Sequence, residues 1–142
     1  RGGPSIAVRR GAALEAREVV MAEIQVVFQN QKATLVLQDP EAVMQEEVLN
    51  WHFHTAGTPV RAVRIVFNDA SATFFPVGQQ PPSNEIKRPV THGQTIWGQA
   101  PKYFTSGPPQ SRPDKYTIEA FDKFDVRLDW ATLDPTIRTD GP

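Results

Sequence analysis

At 142 residues the sequence fits one domain, long enough to bury a core without staples. Its 39% hydrophobic content is too high for disorder, and a formal net charge of −1 argues against a nucleic-acid partner, which needs a basic stripe. The absence of cysteine excludes disulfides, thiolate nucleophiles, iron–sulfur clusters, Cys-rich zinc sites and a blue-copper centre, and no run of 18 apolar residues offers a transmembrane helix.

Residues 1–20 differ in character from the rest. A flexible stretch of Arg1, Gly2, Gly3, Pro4 and Ser5 leads to an Ala-rich, helix-prone run over 11–20. Met21 is expected to be the natural start, since the codons of Arg17, Glu18, Val19 and Val20 can spell a purine-rich ribosome-binding sequence ahead of it. Residues 1–20 are then a non-native or flexible extension, and 21–142 form the folded domain, cytoplasmic if Met21 is the start. From Met21 onward the chain carries 11 Lys+Arg and 14 Asp+Glu, a net −3.

After Met21 the pattern is β almost throughout. Ile24, Val26 and Phe28 alternate with Gln25, Val27 and Gln29 as a first strand. Asn30 and Gln31 turn the chain into a second strand over 33–37, with Leu35 and Leu37 on one face. Asp39, Pro40 and Glu41 break it, because proline has no N–H for a ladder. A short extended piece over 42–44 and a polar turn at Gln45, Glu46 and Glu47 precede Val48–His54. There Leu49, Trp51 and Phe53 face one way, and Asn50, His52 and His54 the other. A loop with Gly57 and Pro59 leads to a strand over 61–67, whose Val63, Ile65 and Phe67 share a face, and then a turn over 68–71.

Residues 76–113 hold eight of the 13 prolines. That density disfavours central strands and predicts exposed loops or edges, with two short strands near 94–98 and at Tyr103 and Phe104, and with Trp97 pinning the region to the body. Alternation returns in Tyr116, Ile118 and Ala120, then in Val126, Leu128 and Trp130 after a turn over 122–125, and these two runs predict a hairpin. Residues 133–137 close the domain. The predicted core is Ile24, Val26, Phe28, Leu35, Leu37, Leu49, Trp51, Phe53, Val63, Ile65, Phe67, Ile118, Leu128 and Trp130. Seven or so short strands with turn residues between them predict an all-β, antiparallel Greek-key sandwich with long Pro-rich loops.

The stretch 35–67 runs strand, Asp-Pro-Glu, short strand, polar turn, Val-x-x-Trp, loop, strand. It resembles the front half of cupredoxin-like domains. The segment from Tyr116 to Phe121 and the closing Leu133, Asp134, Pro135, Thr136 and Ile137 resemble metal-free bacterial members of that group, so that the resemblance spans roughly residues 22–138. It implies a cupredoxin-like fold but no copper. Residues 55–60 lack the histidine, and 107–115 the cysteine, histidine and methionine, that copper-binding members place there. No ligand carries over, and electron transfer is not implied.

His52 and His54 put two imidazoles on one strand face ~7 Å apart. With His92, or with Glu46, Glu47 or Asp69, they are candidate ligands for zinc or type-2 copper. The plainer reading is a half-exposed outer face whose histidines pair with neighbours, so neither a metal nor any other cofactor is expected. No nucleophile elbow or glycine-rich phosphate loop occurs, and Asp122 and Asp125 read as turn residues. An enzyme is not expected. Phe74, Phe75, Trp97, Tyr103 and Phe104, on proline-stiffened loops, are the candidate binding residues for a protein partner of unknown identity. Alternatively these rings cover one end of the sandwich. The leading expectation is thus a non-enzymatic binding or assembly module working through loops 76–113. A histidine-based metalloprotein and an immunoglobulin-like adhesion domain are the alternatives.

Overall fold

The computed structural model describes residues 21–36 and 41–142. The expectations for residues 1–20, for Leu37 and for the break at Asp39 and Pro40 lie outside the described residues. The strands are β1 (Met21–Gln29), β2 (Lys32–Leu35), β3 (Glu41–Met44), β4 (Val48–His54), β5 (Ala62–Phe67), β6 (Phe75–Val77), β7 (Gln80–Ser83), β8 (Glu85–Pro89), β9 (Thr95–Gln99), β10 (Ser111–Phe121) and β11 (Thr136–Asp140), with a 3₁₀ turn at Asp129–Ala131. One sheet has the order β2-β1-β4-β9, the other β3-β11-β10-β5-β8, and β6-β7 is a separate ribbon.

The period-two patterns set the faces. Ala22, Ile24, Val26 and Phe28 of β1 are buried, as are Leu49, Trp51 and Phe53 of β4. Ile24 lies opposite Trp51, and Val26 opposite Phe53. From the other sheet, Val63, Ile65 and Phe67 of β5 lie opposite Ala120, Ile118 and Tyr116 of β10, and all six are buried. The two inner faces meet as a β-sandwich-like arrangement around one apolar cluster. Of the predicted core, Leu35, Leu128 and Trp130 are half-buried against that cluster, and the other described members are fully enclosed.

The expectation of antiparallel pairing throughout is corrected. β1 runs parallel to β4, and β3 parallel to β11, so both sheets are mixed. Alternation fixes which face a residue takes but not the direction of its neighbour. After the β1–β2 hairpin the chain enters the second sheet at β3, then returns as β4 beside β1. That long excursion is the crossover a parallel pair requires. The hairpin itself closes through Asn30 and Gln31, both at φ 53°, joining Gln29 to Lys32. This is the twist-matched two-residue turn.

The hairpin expected between 116–121 and 126–130 is also corrected. Beyond the turn at 122–125 only isolated contacts form, with Arg127 opposite Phe121 and Leu133 opposite Ile118. The 3₁₀ turn at Asp129–Ala131 interrupts the return. The regular partner of β10 on that side is β11, which pairs with Ser111–Lys115. Val126 is exposed, and Trp130 instead leans its edge on Phe28, with ring centroids 6.3 Å apart.

The short strand expected near 94–98 forms as β9, the one expected at Tyr103 and Phe104 does not, and the Pro-rich segment carries β6, β7 and β8 besides. β8 and β9 are sheet edges, where proline is tolerated. Pro113 pairs with β11, but its nitrogen faces the other way, since the N–H groups of Tyr116 and Ile118 are the ones turned to that side, and the β5 ladder begins only at Tyr116, so its missing N–H interrupts no ladder. β9 is held close to Phe74. The Gln99 N–H donates to the Phe74 carbonyl at 2.8 Å, and a Cβ on Gly98 would stand 2.8 Å from that same oxygen.

A slab of rings fills the centre. Phe67 stacks on Phe74 at 4.1 Å and on Tyr116 at 4.8 Å, while Trp51 meets Tyr116 at 5.8 Å and Phe75 at 5.6 Å. Trp51 Nε1 donates to the Tyr116 hydroxyl at 3.1 Å, fully buried, joining the two sheets. Tyr116→Phe should lower unfolding free energy by about 1–3 kcal/mol, because it strands that indole N–H. Gly98→Ala should lower it by about 1–3 kcal/mol through overpacking against main chain that cannot swing aside. Urea denaturation with unchanged m-value checks both.

Candidate functional site

Two grooves open on either side of Pro76, which borders both. The first, about 430 Å³, runs between the edge strands of the two sheets. Thr95, Ile96 and Trp97 of β9 form one wall, and Ile86, Arg88 and Pro89 of β8 the other. Trp97 stands on the outer face of its strand and is 53% exposed. Arg88 lies opposite Val63 in the β5–β8 ladder, which puts it on the inner face of its sheet, at the mouth of the sandwich. Its guanidinium donates to the Lys87 carbonyl at 3.1 Å and, among the described residues, has no carboxylate partner. The neighbouring cations differ. Lys87 pairs with Asp125 at 2.6 Å, and Arg64 with Glu119 at 2.8 Å and Glu85 at 3.1 Å. Glu119 in particular holds the Arg64 guanidinium above its ordinary value.

The second groove, about 410 Å³, is bordered by Glu46, Ser71, Thr73, Lys102 and Tyr103. Its wall is a polar network. The Tyr103 hydroxyl donates to Asp114 Oδ2 at 2.8 Å, Arg112 Nε donates to Asp114 Oδ1 at 3.2 Å, and the Arg112 guanidinium lies 4.0 Å over the Tyr103 ring. Arg112 also reaches Asp69 at 3.2 Å and the Ser71 hydroxyl at 2.8 Å. Asp114 is buried, and that burial raises its carboxyl above the ordinary aspartate range despite the tyrosine and arginine. Burial, followed by the Asp114 contact, pushes the Tyr103 phenol up as well. Asp69 moves the other way, held down by the Ser71 backbone N–H and hydroxyl.

The expected aromatic patch does not form as one surface. Phe74 and Phe75 are 0% exposed and belong to the central slab, so they are unavailable to a partner. They enter the core because β6 lies against β9, where the Gly98 position leaves room for the Phe75 ring. Tyr103 and Phe104 are half-buried. Phe104 is clasped by the Gln45 side chain, which donates to its carbonyl and accepts from its N–H, both at 2.9 Å. Its ring fills the space a side chain at Gly141 would need. Of the five candidates, Trp97 alone is exposed. Arg88 escapes sequence reasoning, because nothing in the spacing shows that β8 and β9 end up facing each other. The alternation of Ile86 and Arg88 with Glu85 and Lys87 is the single local cue.

The histidines lie on the outer face of the first sheet. His54 Nε2 is hydrogen-bonded to Gln25, and its ring meets His92 edge-on at 5.7 Å. His92 Nδ1 accepts the Thr55 N–H at 3.2 Å, which places the ring proton on Nε2. His52 Nε2 sits 3.5 Å from a Glu23 carboxylate oxygen and makes no hydrogen bond among the described residues. Among the described residues, no group of three or more His, Cys, Asp or Glu is arranged to hold a metal ion. Neither is any helix long and apolar enough to cross a membrane.

No family model, curated protein or solved structure matches the chain.

Asp114 provides a test of the network. Its folded value is raised, so its share of stability is full below the unfolded value of about 3.9 and is lost as pH rises through the folded one. Carboxyl ¹³C NMR should show Asp114 titrating above ordinary aspartates. The stability of the wild type relative to Asp114→Asn should fall as pH is raised through that midpoint.

Proposed function

We propose that the chain is a non-enzymatic binding or assembly module, a copper-free domain of cupredoxin-like Greek-key topology that meets its partner through the Pro-rich segment 76–113. The observation that carries this reading is Trp97. A tryptophan more than half exposed at the lip of a proline-walled groove is the type of residue that anchors interfaces, since it offers large area with little rotamer entropy to lose.

The surroundings of Trp97 support a rigid surface. Pro76 and Pro89 fix the opposite wall, and the Gln99–Phe74 hydrogen bond fixes the strand beneath. A surface already held in its bound shape loses less freedom on association. Among the described residues, Arg88 is the single ionisable side chain bordering this groove. Arginine stays protonated at any working pH, so it suits recognition of an anion and not proton transfer.

The test compares wild type and Trp97→Ala in quantitative affinity purification, with near-UV circular dichroism confirming the fold. Loss of a partner by about 30-fold or more in the variant fits a hot spot of at least about 2 kcal/mol. Equal recovery of all partners by both proteins would overturn the reading. Stoichiometric zinc or copper that disappears in a His52→Ala/His54→Ala variant would move the function to the histidine face.

A further inference from the structure

We infer that the groove between β8 and β9 takes an extended acidic polypeptide segment, laid along the unpaired edge of β9 as a short added strand. This rests on the binding reading above and specifies its partner.

The ladder geometry supplies the first argument. In the β4–β9 pair, the Phe53 N–H donates to the Gln94 carbonyl, and the Ala100 N–H to the Glu47 carbonyl. In an antiparallel pair the backbone groups of alternate residues turn to the same neighbour. Gln94, Ile96, Gly98 and Ala100 therefore address β4, and Thr95, Trp97 and Gln99 address the opposite side. The Gln99 N–H confirms the phase, since it points away from β4 to Phe74. Among the described residues no strand forms a ladder with β9 on that side, although β6 packs beside it from the Gln99 end, and the groove begins there.

Pro76 and Pro89, which border the groove, have no N–H to donate, and its one charged donor among the described residues is the Arg88 guanidinium. The ladder phase turns the carbonyl oxygens of Thr95 and Trp97 away from β4, toward the groove. The N–H groups of an incoming extended chain fit them, as in other cases of strand addition to a sheet edge. The edge is only five residues long and ends at Gln99, where Phe74 already occupies it. That limits the docked segment to a few residues and guards against open-ended self-pairing.

Charge supplies the second argument. Among the described residues, the groove borders contain Arg88 and no acidic residue, and Arg88 has no carboxylate partner. A guanidinium left free at the mouth of a groove favours a carboxylate, which it grips through two parallel hydrogen bonds. Trp97 and Ile86 offer apolar contact to the side chains on either side.

The experiment selects a phage-displayed random decapeptide library on the full chain at low salt. The enriched peptides are then made in free and backbone N-methylated forms, and their binding is read by fluorescence anisotropy. The expected result is enrichment of Asp- or Glu-containing peptides. Their affinity should fall at least tenfold with Arg88→Glu, and at least tenfold when alternate peptide nitrogens are methylated. Arg88 is exposed and among the described residues pairs with no carboxylate, so the variant should fold, and circular dichroism checks that it does. No enrichment would overturn the inference, as would peptides indifferent to Arg88→Glu or to N-methylation. A partner lost with Trp97→Ala, beside selected peptides that ignore both changes, would leave the binding module standing and remove the strand-addition mode. Equal partner recovery with Trp97→Ala would instead remove the parent reading.

Discussion

The structure hangs on the contact between Trp51 and Tyr116. These two rings come from the middles of the two sheets, touch at 5.8 Å and share a buried hydrogen bond. Apolar packing alone holds two sheets together but tolerates sliding, because burial is non-directional. A buried N–H with one acceptor does not tolerate it. The bond sets the register of one sheet on the other, and the slab of Phe67, Phe74 and Phe75 then packs around that fixed point. Phe74 and Phe75 in turn hold β9, since Gly98 and Gln99 lie directly against them. The groove lip at Trp97 is therefore tied to the core through one strand and two rings.

The same economy governs the rest of the Pro-rich segment. A chain with this much proline cannot pin itself by its own N–H groups, so side chains from elsewhere do the work. Gln45 clasps Phe104 at both backbone atoms. Asp114 and Arg112, from the start of β10, hold Tyr103 by hydroxyl and by ring face. Burying Asp114 costs enough to raise its proton affinity, and the network is kept despite that cost. Loops held at several points in this way give grooves with settled walls, which is what a binding surface requires.

Much of the fold was legible in the sequence because its strands are amphipathic. Val48–His54 appeared with the correct ends and faces, since three large apolar residues alternate with three polar ones. β1 and β5 were equally plain. Direction was not legible, because period two carries no information about whether a distant neighbour runs parallel. Val126, Leu128 and Trp130 show the limit of the pattern: they alternate, yet the 3₁₀ turn takes them out of the ladder. The candidate site was half legible. Trp97 stood out by residue type, but Phe74 and Phe75 looked the same beside Pro76 and proved to be core. Exposure is a property of the neighbour that arrives, and for those rings the neighbours are Phe67, Trp51 and Gly98. Arg88 drew no notice, since its meaning comes from the meeting of two edges.

The place of β11 bears on how the chain is made. It lies between β3 and β10, parallel to one and antiparallel to the other, and among the described residues β3 has no other strand beside it. While a ribosome is still adding residues 136–140, β3 has no seat in the sheet and the early half of β10 lacks its partner. Residues 136–140 must leave the exit tunnel before the second sheet can be assembled. Until they do, the chain depends on dilution or on chaperones to keep two bare strand edges apart.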